Sequence, residues 1–414
     1  MENINNIIEM IRKHEEKSLH AINLIASENQ LSYLAKDALL SDLGNRVAEG
    51  WISERLFPGI NYYNEIEMLG MNLIRSMFKA DFVDLRPISG TMANMVVFSA
   101  FTKPNDKILA IAVKDGGHIS MSGATPRKVF GLQIINIPMI ENKINEIDVD
   151  KTIAKIYEEV PRLVILGGSV IIQKLDIKRI CVAAHEVNSI VIFDASHVAG
   201  LIVGGVYENP FDVGVDIITT STCKTIPGPQ HGMILSKKQY EKNIKMTTFP
   251  SLHSGHHLHH VLSTIITMYE MQEFGKNYAE QILNNSQKLA EILMQKGIAV
   301  YQYDKDKYTD THMFMILDDN AQEIVNKLES VNIISNCNVL PWDKNFRNGT
   351  GIRMGTPEIT RIGMCEGDMH TVADFIVNAI LETKDRNELS KEIREFVGSF
   401  KKIKYCYDKR IWGE

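Results

Sequence analysis

The stretch that decides the fold class is residues 216–229, DIITTSTCKTIPGP. Its first residues form a short apolar strand pattern, and small hydroxyl residues then lead to Lys224. A lysine at the end of such a strand can be held partly out of water, which lowers the pKa of its ammonium group and lets it form a Schiff base. Lys224 is therefore the first candidate for a catalytic residue, with an ordinary solvated lysine as the alternative.

A second candidate, Asp194, precedes Lys224 along the chain. It ends the buried strand pattern of residues 189–193 and is followed by Ala195, Ser196 and His197. An aspartate in this place either caps the next helix or pairs with the protonated nitrogen of a pyridine ring. Together, Asp194 and Lys224 indicate an enzyme that uses pyridoxal 5'-phosphate (PLP).

Two further segments suit such a cofactor. Ser89, Gly90 and Thr91 stand between a strand pattern at 82–86 and a helical pattern at 92–101. The free N–H groups at a helix start, with two hydroxyls, are typical of a phosphate site. After another strand pattern at 108–113, Gly116 and Gly117 lead to His118, whose ring can lie on the pyridine face.

With these motifs in place, the chain resembles the serine hydroxymethyltransferase family over about residues 20 to 385. The resemblance implies an α/β fold: an aspartate aminotransferase-like (fold type I) large domain with a mostly parallel sheet, and a smaller α+β C-terminal domain. The motifs that carry it are 24–29 (LIASEN), 48–50 (AEG), 89–94 (SGTMAN), 115–118 (DGGH), 194–201 (DASHVAGL), 224–229 (KTIPGP) and 351–357 (GIRMGTP).

The resemblance also implies a role for each matching residue. The catalytic residues are the Schiff-base lysine, a proton shuttle, the stacked ring and the pyridinium partner: Lys224, Glu49, His118 and Asp194. The cofactor is also bound by Ser89, Gly90, Thr91, Ser169, His197 and Gly255. The substrate carboxylate is bound by Arg353 and Ser27, near Glu49. Tetrahydrofolate, the implied cosubstrate, is expected at Val113, Gly117, Ile119 and Asn338.

The implied reaction is cleavage or formation of the Cα–Cβ bond of a β-hydroxy amino acid, with serine, glycine or threonine as substrate. The family shares active sites between subunits, so a homodimer or a dimer of dimers is expected. Three tyrosines of the family are replaced by Val47, Leu56 and Phe57, and Cys223 stands where a histidine is usual. Three functions therefore stay open: a folate-dependent hydroxymethyltransferase, a folate-independent threonine aldolase or transaldolase, and a non-catalytic PLP-binding dimer.

Composition restricts the class of protein further. The 414 residues carry a net charge of -6 and are 44% hydrophobic, which predicts a large core and favours neither nucleic acid nor a membrane as partner. Five widely spaced cysteines fit no disulfide framework or zinc site, so a cytoplasmic protein is expected. The histidine cluster at 253–260 lacks cysteine or carboxylate partners at fixed spacing, and we expect no metal there.

Strand and helix patterns alternate from about residue 24 to 235, as in a parallel sheet covered by helices. We predict an N-terminal helical arm at 1–23, a PLP-binding large domain at 24–274 and a small domain at 275–414. Within the small domain we predict helices at Lys276–Gln295 and Ala321–Ser330, and strands at Ala299–Tyr303 and His312–Leu317.

Overall fold

The computed structural model describes residues 2–344 and 349–412. The helices are α1 (Glu2–Leu19), α2 (Tyr33–Leu39), α3 (Asn61–Phe78), α4 (Gly90–Phe101), α5 (Ile119–Ser122), α6 (Val149–Glu159), α7 (Lys178–Glu186), α8 (Ala199–Val203), α9 (Glu241–Met246), α10 (Leu258–Gln295), α11 (Ala321–Ser330), α12 (Pro357–Arg361), α13 (Met369–Leu381) and α14 (Arg386–Gly398). The strands are β1 (Ile22–Asn23), β2 (Phe82–Asp84), β3 (Lys107–Ala110), β4 (Gln133–Asn136), β5 (Leu163–Gly167), β6 (Ile190–Asp194), β7 (Ile217–Ser221), β8 (Gly232–Ser236), β9 (Met313–Leu317), β10 (Ile333–Ile334), β11 (Asn336–Asn338) and β12 (Gly351–Gly355).

The chain divides into two compact units. The large unit comprises Asn29–Glu280 and the residues from Tyr405 onward, and the small unit comprises the first 28 residues and Gln281–Lys404. These boundaries differ from the predicted ones at 24 and 275, and the N-terminal arm is not a separate domain. The reason lies in pairing: β1 follows the arm and pairs in parallel with β10 of the small unit, from Ile22 opposite Ile333 to Asn23 opposite Ile334.

Seven described strands form the sheet of the large unit, in the order β2-β8-β7-β6-β5-β3-β4. The neighbouring strands β4, β3, β5, β6 and β7 all pair in parallel. The strand β8 runs antiparallel to both β7 and β2. The predicted mostly parallel α/β sheet is confirmed. Every residue of β5, β6, β7 and β8 is buried, as expected for strands covered on both faces.

The register of this sheet brings three strand ends together. Gly167 at the end of β5 lies opposite Asp194 at the end of β6, and Asp194 lies opposite Thr219 of β7. Because parallel strands end at the same edge, the loops that follow them also meet there. The predicted cofactor residues Asp194 and Ser169 lie at this edge or just after it.

The small unit has an antiparallel sheet in the order β11-β12-β9. The helix α11 has the predicted bounds, Ala321–Ser330. The predicted strand at 299–303 is reduced to a single bridge from Val300 to Ile316. The core of this unit includes Leu289, Leu293, Phe314, Ile316, Val372 and Ile376.

The helix α10 begins at Leu258, earlier than the predicted start at Lys276. Gly275 lies inside this helix. A side chain on Gly204 would come within 2.7 Å of the Gly275 carbonyl and 2.3 Å of the Ala279 Cβ, so Gly204 packs directly on this turn. No helix in the described part of the chain has the length and apolar character to span a bilayer.

The large unit contains a buried histidine whose titration opposes folding at low pH. The Nε2 of His231 donates to the Leu85 carbonyl at 2.7 Å, and burial lowers the pKa of His231 to about 3. In the unfolded chain the pKa of a histidine is near 6.5. As the pH falls below that value, the unfolded chain binds a proton that the folded chain does not, so stability is lost.

We expect His231→Gln, which keeps a donor for the Leu85 carbonyl, to reduce the fall in the free energy of unfolding as the pH is lowered. The single histidine contributes a slope of about 1.4 kcal/mol per pH unit between the two pKa values. Urea unfolding at pH 7, 6 and 5 measures the difference from wild type. His370→Gln, at an exposed histidine of α13, is the control. Equal slopes for wild type and His231→Gln would contradict the assignment.

Candidate active site

The site in the large unit is centred on Asp194, which is 3% exposed at the end of β6. The neighbouring strand approaches it closely: Gly167 has φ +81°, and a Cβ there would lie 2.3 Å from the Asp194 carbonyl oxygen. Both the left-handed backbone and this contact require glycine. The end of β5 is thus shaped to leave room for Asp194.

Asn94 and a backbone amide hold the Asp194 carboxylate. Asn94 Nδ2 donates to Asp194 Oδ2 at 3.1 Å, and the Ser196 N–H donates to Oδ1 at 3.1 Å. A carboxylate has about four lone-pair sites, so these bonds leave capacity for an N–H from a ring nitrogen. The geometry suits the predicted role of Asp194 as the partner of a pyridinium.

The same asparagine orients His118. Asn94 Nδ2 also donates to Ser120 Oγ at 2.8 Å, and Ser120 Oγ lies 2.6 Å from His118 Nδ1. The Ser120 N–H donates to this same Nδ1 at 3.2 Å, which makes Nδ1 an acceptor and places the ring proton on Nε2. One side chain, Asn94, therefore connects the two predicted ring partners.

The loop before His118 depends on a close backbone contact. A Cβ on Gly117 would lie 1.9 Å from the Ile111 carbonyl oxygen, so only glycine fits. The Ser169 N–H donates to the Gly116 carbonyl at 2.7 Å, which attaches the predicted cofactor residue Ser169 to this loop. The loop before His118 and the segment that follows β5 are therefore adjacent.

The start of α4 forms an anion cradle. Ser89 caps this helix, with its Oγ accepting from the Met92 N–H at 3.1 Å, and Gly90 and Thr91 are the first helical residues. A Cβ on Gly90 would lie 3.1 Å from Ser196 Oγ and 3.3 Å from the Ser221 nitrogen. Ser221 Oγ is buried and has no hydrogen-bond partner among the described residues. A helix start, small residues and a buried unused hydroxyl together fit a phosphate group.

Lys224 lies three residues beyond the end of β7, not on the strand itself, and is partly buried. Its carbonyl accepts from Asn29 Nδ2 at 2.5 Å. The next residue, Thr225, donates its hydroxyl to the His197 carbonyl at 3.0 Å and accepts from the Gly200 N–H at 3.0 Å. The backbone around Lys224 is thus fixed to the segment that follows Asp194.

Glu49 and Gly255 lie on a second pair of segments in the large unit. A Cβ on Gly255 would contact Val47 Cγ1 at 3.6 Å, so the two segments are adjacent. Glu49 is partly buried, whereas Val47, Leu56 and Phe57 expose 44%, 66% and 44% of their surface. The residues that replace the family's tyrosines are therefore open to a partner or ligand.

The small unit holds the residues predicted for the substrate carboxylate. Arg353 of β12 is buried, its Nη2 donates to Asn336 Oδ1 at 3.4 Å, and burial lowers the pKa of Arg353 to about 10. Ser27 follows Ala26, and a Cβ added to Gly355 would lie 2.5 Å from the Ala26 Cα. The segment that contains Ser27 therefore lies against the end of β12, the strand that contains Arg353.

The residues predicted for folate fall in both units. Val113, Gly117 and Ile119 belong to the large unit, where Val113 and Ile119 are exposed, and Asn338 is the last residue of β11 in the small unit. In the histidine cluster the rings contact one another, and His259 and His260 meet edge to face with 4.6 Å between their centroids. Within residues 2–344 and 349–412, no three His, Cys, Asp or Glu side chains are grouped as metal ligands.

Sequence reasoning missed the residues that hold the predicted ones in place. They are Asn29, Asn94, Ser120, Ser196, Ser221 and Thr225. Asn29, Asn94, Ser196 and Thr225 stand inside the motifs that match the family, and those motifs were the available signal. The partner of Asn94 is distant in sequence, however, because Asn94 and Asp194 are separated by 100 positions.

Comparisons with known proteins show which family the sequence matches. A family model described as serine hydroxymethyltransferase matches residues 1–376. The serine hydroxymethyltransferase of Thermococcus onnurineus (strain NA1) is 39% identical over 411 residues, covering 97% of this chain and 96% of the relative. That of Methanosphaera stadtmanae is 37% identical over 418 residues, covering 100% and 98%. That of Methanothermobacter thermautotrophicus is 40% identical over 407 residues, covering 97% and 95%.

We expect Asn94→Ala to destabilise the protein by about 1–3 kcal/mol, because it removes a donor from the buried Asp194 carboxylate. Thermal or urea unfolding measures the loss. Asn72→Ala, at an exposed position of α3, controls for the change in helix propensity. A loss for Asn94→Ala no larger than for Asn72→Ala would show that Asn94 does not support Asp194.

Proposed function

The chain belongs to the serine hydroxymethyltransferase family, and we propose that it is a PLP-dependent enzyme that transfers the hydroxymethyl group of serine to tetrahydrofolate, leaving glycine. The observation that carries the proposal is the connected group of Asp194, Asn94, Ser120 and His118 beside the anion cradle. We infer that the large unit is the cofactor-binding domain and that the small unit binds the substrate carboxylate.

The residues of the large unit fit PLP. Ser89, Gly90 and Thr91 would hold its phosphate, and Lys224 would hold it covalently through the ε-amino group. Asp194 would keep the ring nitrogen protonated, and His118 would lie on the ring, with Ser169 and His197 near its phenolic oxygen. When bound, PLP takes up the electron pair that is released as the Cα–Cβ bond breaks.

Arg353 would fix the carboxylate of the amino acid. Its planar guanidinium can form a bidentate pair, which orients the substrate as well as binding it. Because burial lowers the pKa of Arg353, a carboxylate partner would restore favourable electrostatics. Ser27 would add a hydroxyl donor.

Glu49 would accept the proton of the β-hydroxyl oxygen as the substrate splits. In the family this carboxylate serves the site of the neighbouring subunit, so we propose a homodimer or a dimer of dimers, with a cytoplasmic location. The exposed apolar residues Val47, Leu56 and Phe57, and the exposed isoleucines of α1 at positions 4, 7 and 11, support a further protein contact.

The second candidate function is folate-independent cleavage of a larger β-hydroxy amino acid. Leu56 and Phe57 favour it, because they present no hydroxyl where the family has tyrosines that pack folate. Val113, Gly117, Ile119 and Asn338 remain the proposed folate contacts. The two functions differ in whether tetrahydrofolate is required.

We expect Arg353→Lys to lower kcat/KM for serine about 10- to 100-fold while leaving bound PLP unchanged, because an ammonium group cannot form the bidentate pair. Steady-state kinetics and the cofactor absorbance measure the two effects. Arg386→Lys, at an exposed arginine of the small unit, is the control. Unchanged kinetics in Arg353→Lys would place the carboxylate elsewhere.

We expect serine cleavage to depend on tetrahydrofolate. The stimulation by folate should be weaker than in a protein with tyrosines at positions 47, 56 and 57, since one aromatic contact contributes about 1 kcal/mol. Serine and threonine are each incubated with and without tetrahydrofolate, and glycine is measured. Lys224→Ala serves as the inactive control. Rapid folate-independent threonine cleavage, with no folate effect on serine, would select the aldolase function instead.

A further inference from the structure

Arg55 contacts the backbone on both sides of Glu49. Its Nη1 donates to the Ala48 carbonyl at 2.9 Å and also to the Gly50 carbonyl. The Glu49 carbonyl accepts from the Leu56 N–H at 3.1 Å. The Glu49 carboxylate makes no hydrogen bond or ion pair with the described residues. The backbone of Glu49 is therefore held while its side chain stays available.

Arg55 is itself held by buried partners. Its Nη2 forms an ion pair with Glu67 of α3, and the two side chains are 6% and 0% exposed. Its Nε donates to Asn64 Oδ1 at 3.0 Å. With these bonds each nitrogen of the guanidinium has an acceptor, so the fork geometry fixes the carbonyls of 48 and 50 relative to α3.

A second arginine strengthens this arrangement. Arg86 lies over the Trp51 ring with 3.5 Å to the centroid, and it forms ion pairs with Glu67 at 3.5 Å and Asp84 at 3.2 Å. Its Nη2 also lies 3.4 Å from the Gly50 carbonyl. The positive charges of the two arginines are thus balanced by the carboxylates of Glu67 and Asp84, as a buried group of charges requires.

A tyrosine and histidine pair joins this group to the Gly255 segment. Tyr63 OH lies 2.7 Å from His256 Nε2, and the Arg55 guanidinium lies 5.6 Å from the Tyr63 ring centre. Burial raises the pKa of Tyr63, and burial followed by the charges of Arg86 and Arg55 lowers the pKa of His256. Both shifts favour the neutral forms, and a single hydrogen bond joins the Tyr63 hydroxyl and Nε2.

We propose that Arg55, held by Glu67 and braced by the Tyr63–His256 pair, is a positioning residue that fixes the backbone of Glu49 for proton transfer. The proposal rests on the proposed function, in which Glu49 carries the proton. In this role Arg55 does not touch the substrate. Its effect on turnover passes through Glu49, and this separates it from a residue that only stabilises the fold.

A double-mutant cycle tests the proposal, with kcat for serine cleavage measured for Arg55→Lys, Glu49→Gln and the double variant. Lysine cannot donate in a fork to both carbonyls and Glu67, so we expect kcat to fall at least 10-fold with a smaller change in KM and with PLP retained. In the Glu49→Gln background the same change should cost less than 3-fold. Equal losses in the two backgrounds would overturn the proposal.

Amide hydrogen exchange of residues 48–57 gives a readout that needs no turnover. We expect at least 10-fold faster exchange in Arg55→Lys and a smaller acceleration in Tyr63→Phe, which keeps the ring and loses only the hydrogen bond. Tyr62→Phe, at a neighbour that is 83% exposed, and Arg46→Lys are the matched controls and should match wild type.

The two measurements separate the possible failures. Unchanged exchange in both Arg55→Lys and Tyr63→Phe would overturn the proposal even if serine is cleaved. If the wild-type protein cleaves no serine while the variants still exchange faster, the proposed function is refuted. The role of Arg55 in holding the backbone of residues 48–50 is then still supported. If Arg55→Lys does not fold, Tyr63→Phe carries both measurements.

Discussion

The burial of the Asp194 carboxylate between two strand ends is the constraint on which the rest of the site depends. A buried carboxylate needs donors, and here Asn94 and the Ser196 N–H supply them. Asn94 lies on α4, so meeting this need places that helix against the sheet edge. The start of α4 then lies beside Ser196 and Ser221, so the residues that we propose for the pyridinium and for the phosphate come from one packing arrangement.

We propose two different roles for the buried arginines. Arg55 and Arg86 meet Glu67 and Asp84, so their charges are neutralised within the large unit. Burial lowers the pKa of Arg353, and we propose that it binds the substrate carboxylate. The balanced group around Arg55 instead holds the backbone near it.

Much of the fold could be predicted because its signals are local. The α11 bounds follow from helical periodicity, and β6 follows from a short apolar run that ends in an aspartate. The early start of α10 was not predicted; its turn at Gly275 packs against Gly204, a contact between residues that are distant in the sequence. The same limit applies to the site: the motifs indicate Asp194 and Lys224, while the partner of His256 is a tyrosine 193 positions away.

The replaced tyrosines and the residues around Arg55 lie on opposite sides of one segment. Leu56 and Phe57 point to solvent, whereas Arg55 beside them is buried against Glu67 and holds the carbonyls that flank Glu49. A substitution on the exposed side changes what a ligand or a second chain meets. It leaves the backbone position of Glu49 unchanged, because that position is set from the buried side. Under the proposed function, a change of acceptor at Leu56 and Phe57 is therefore compatible with retention of Glu49.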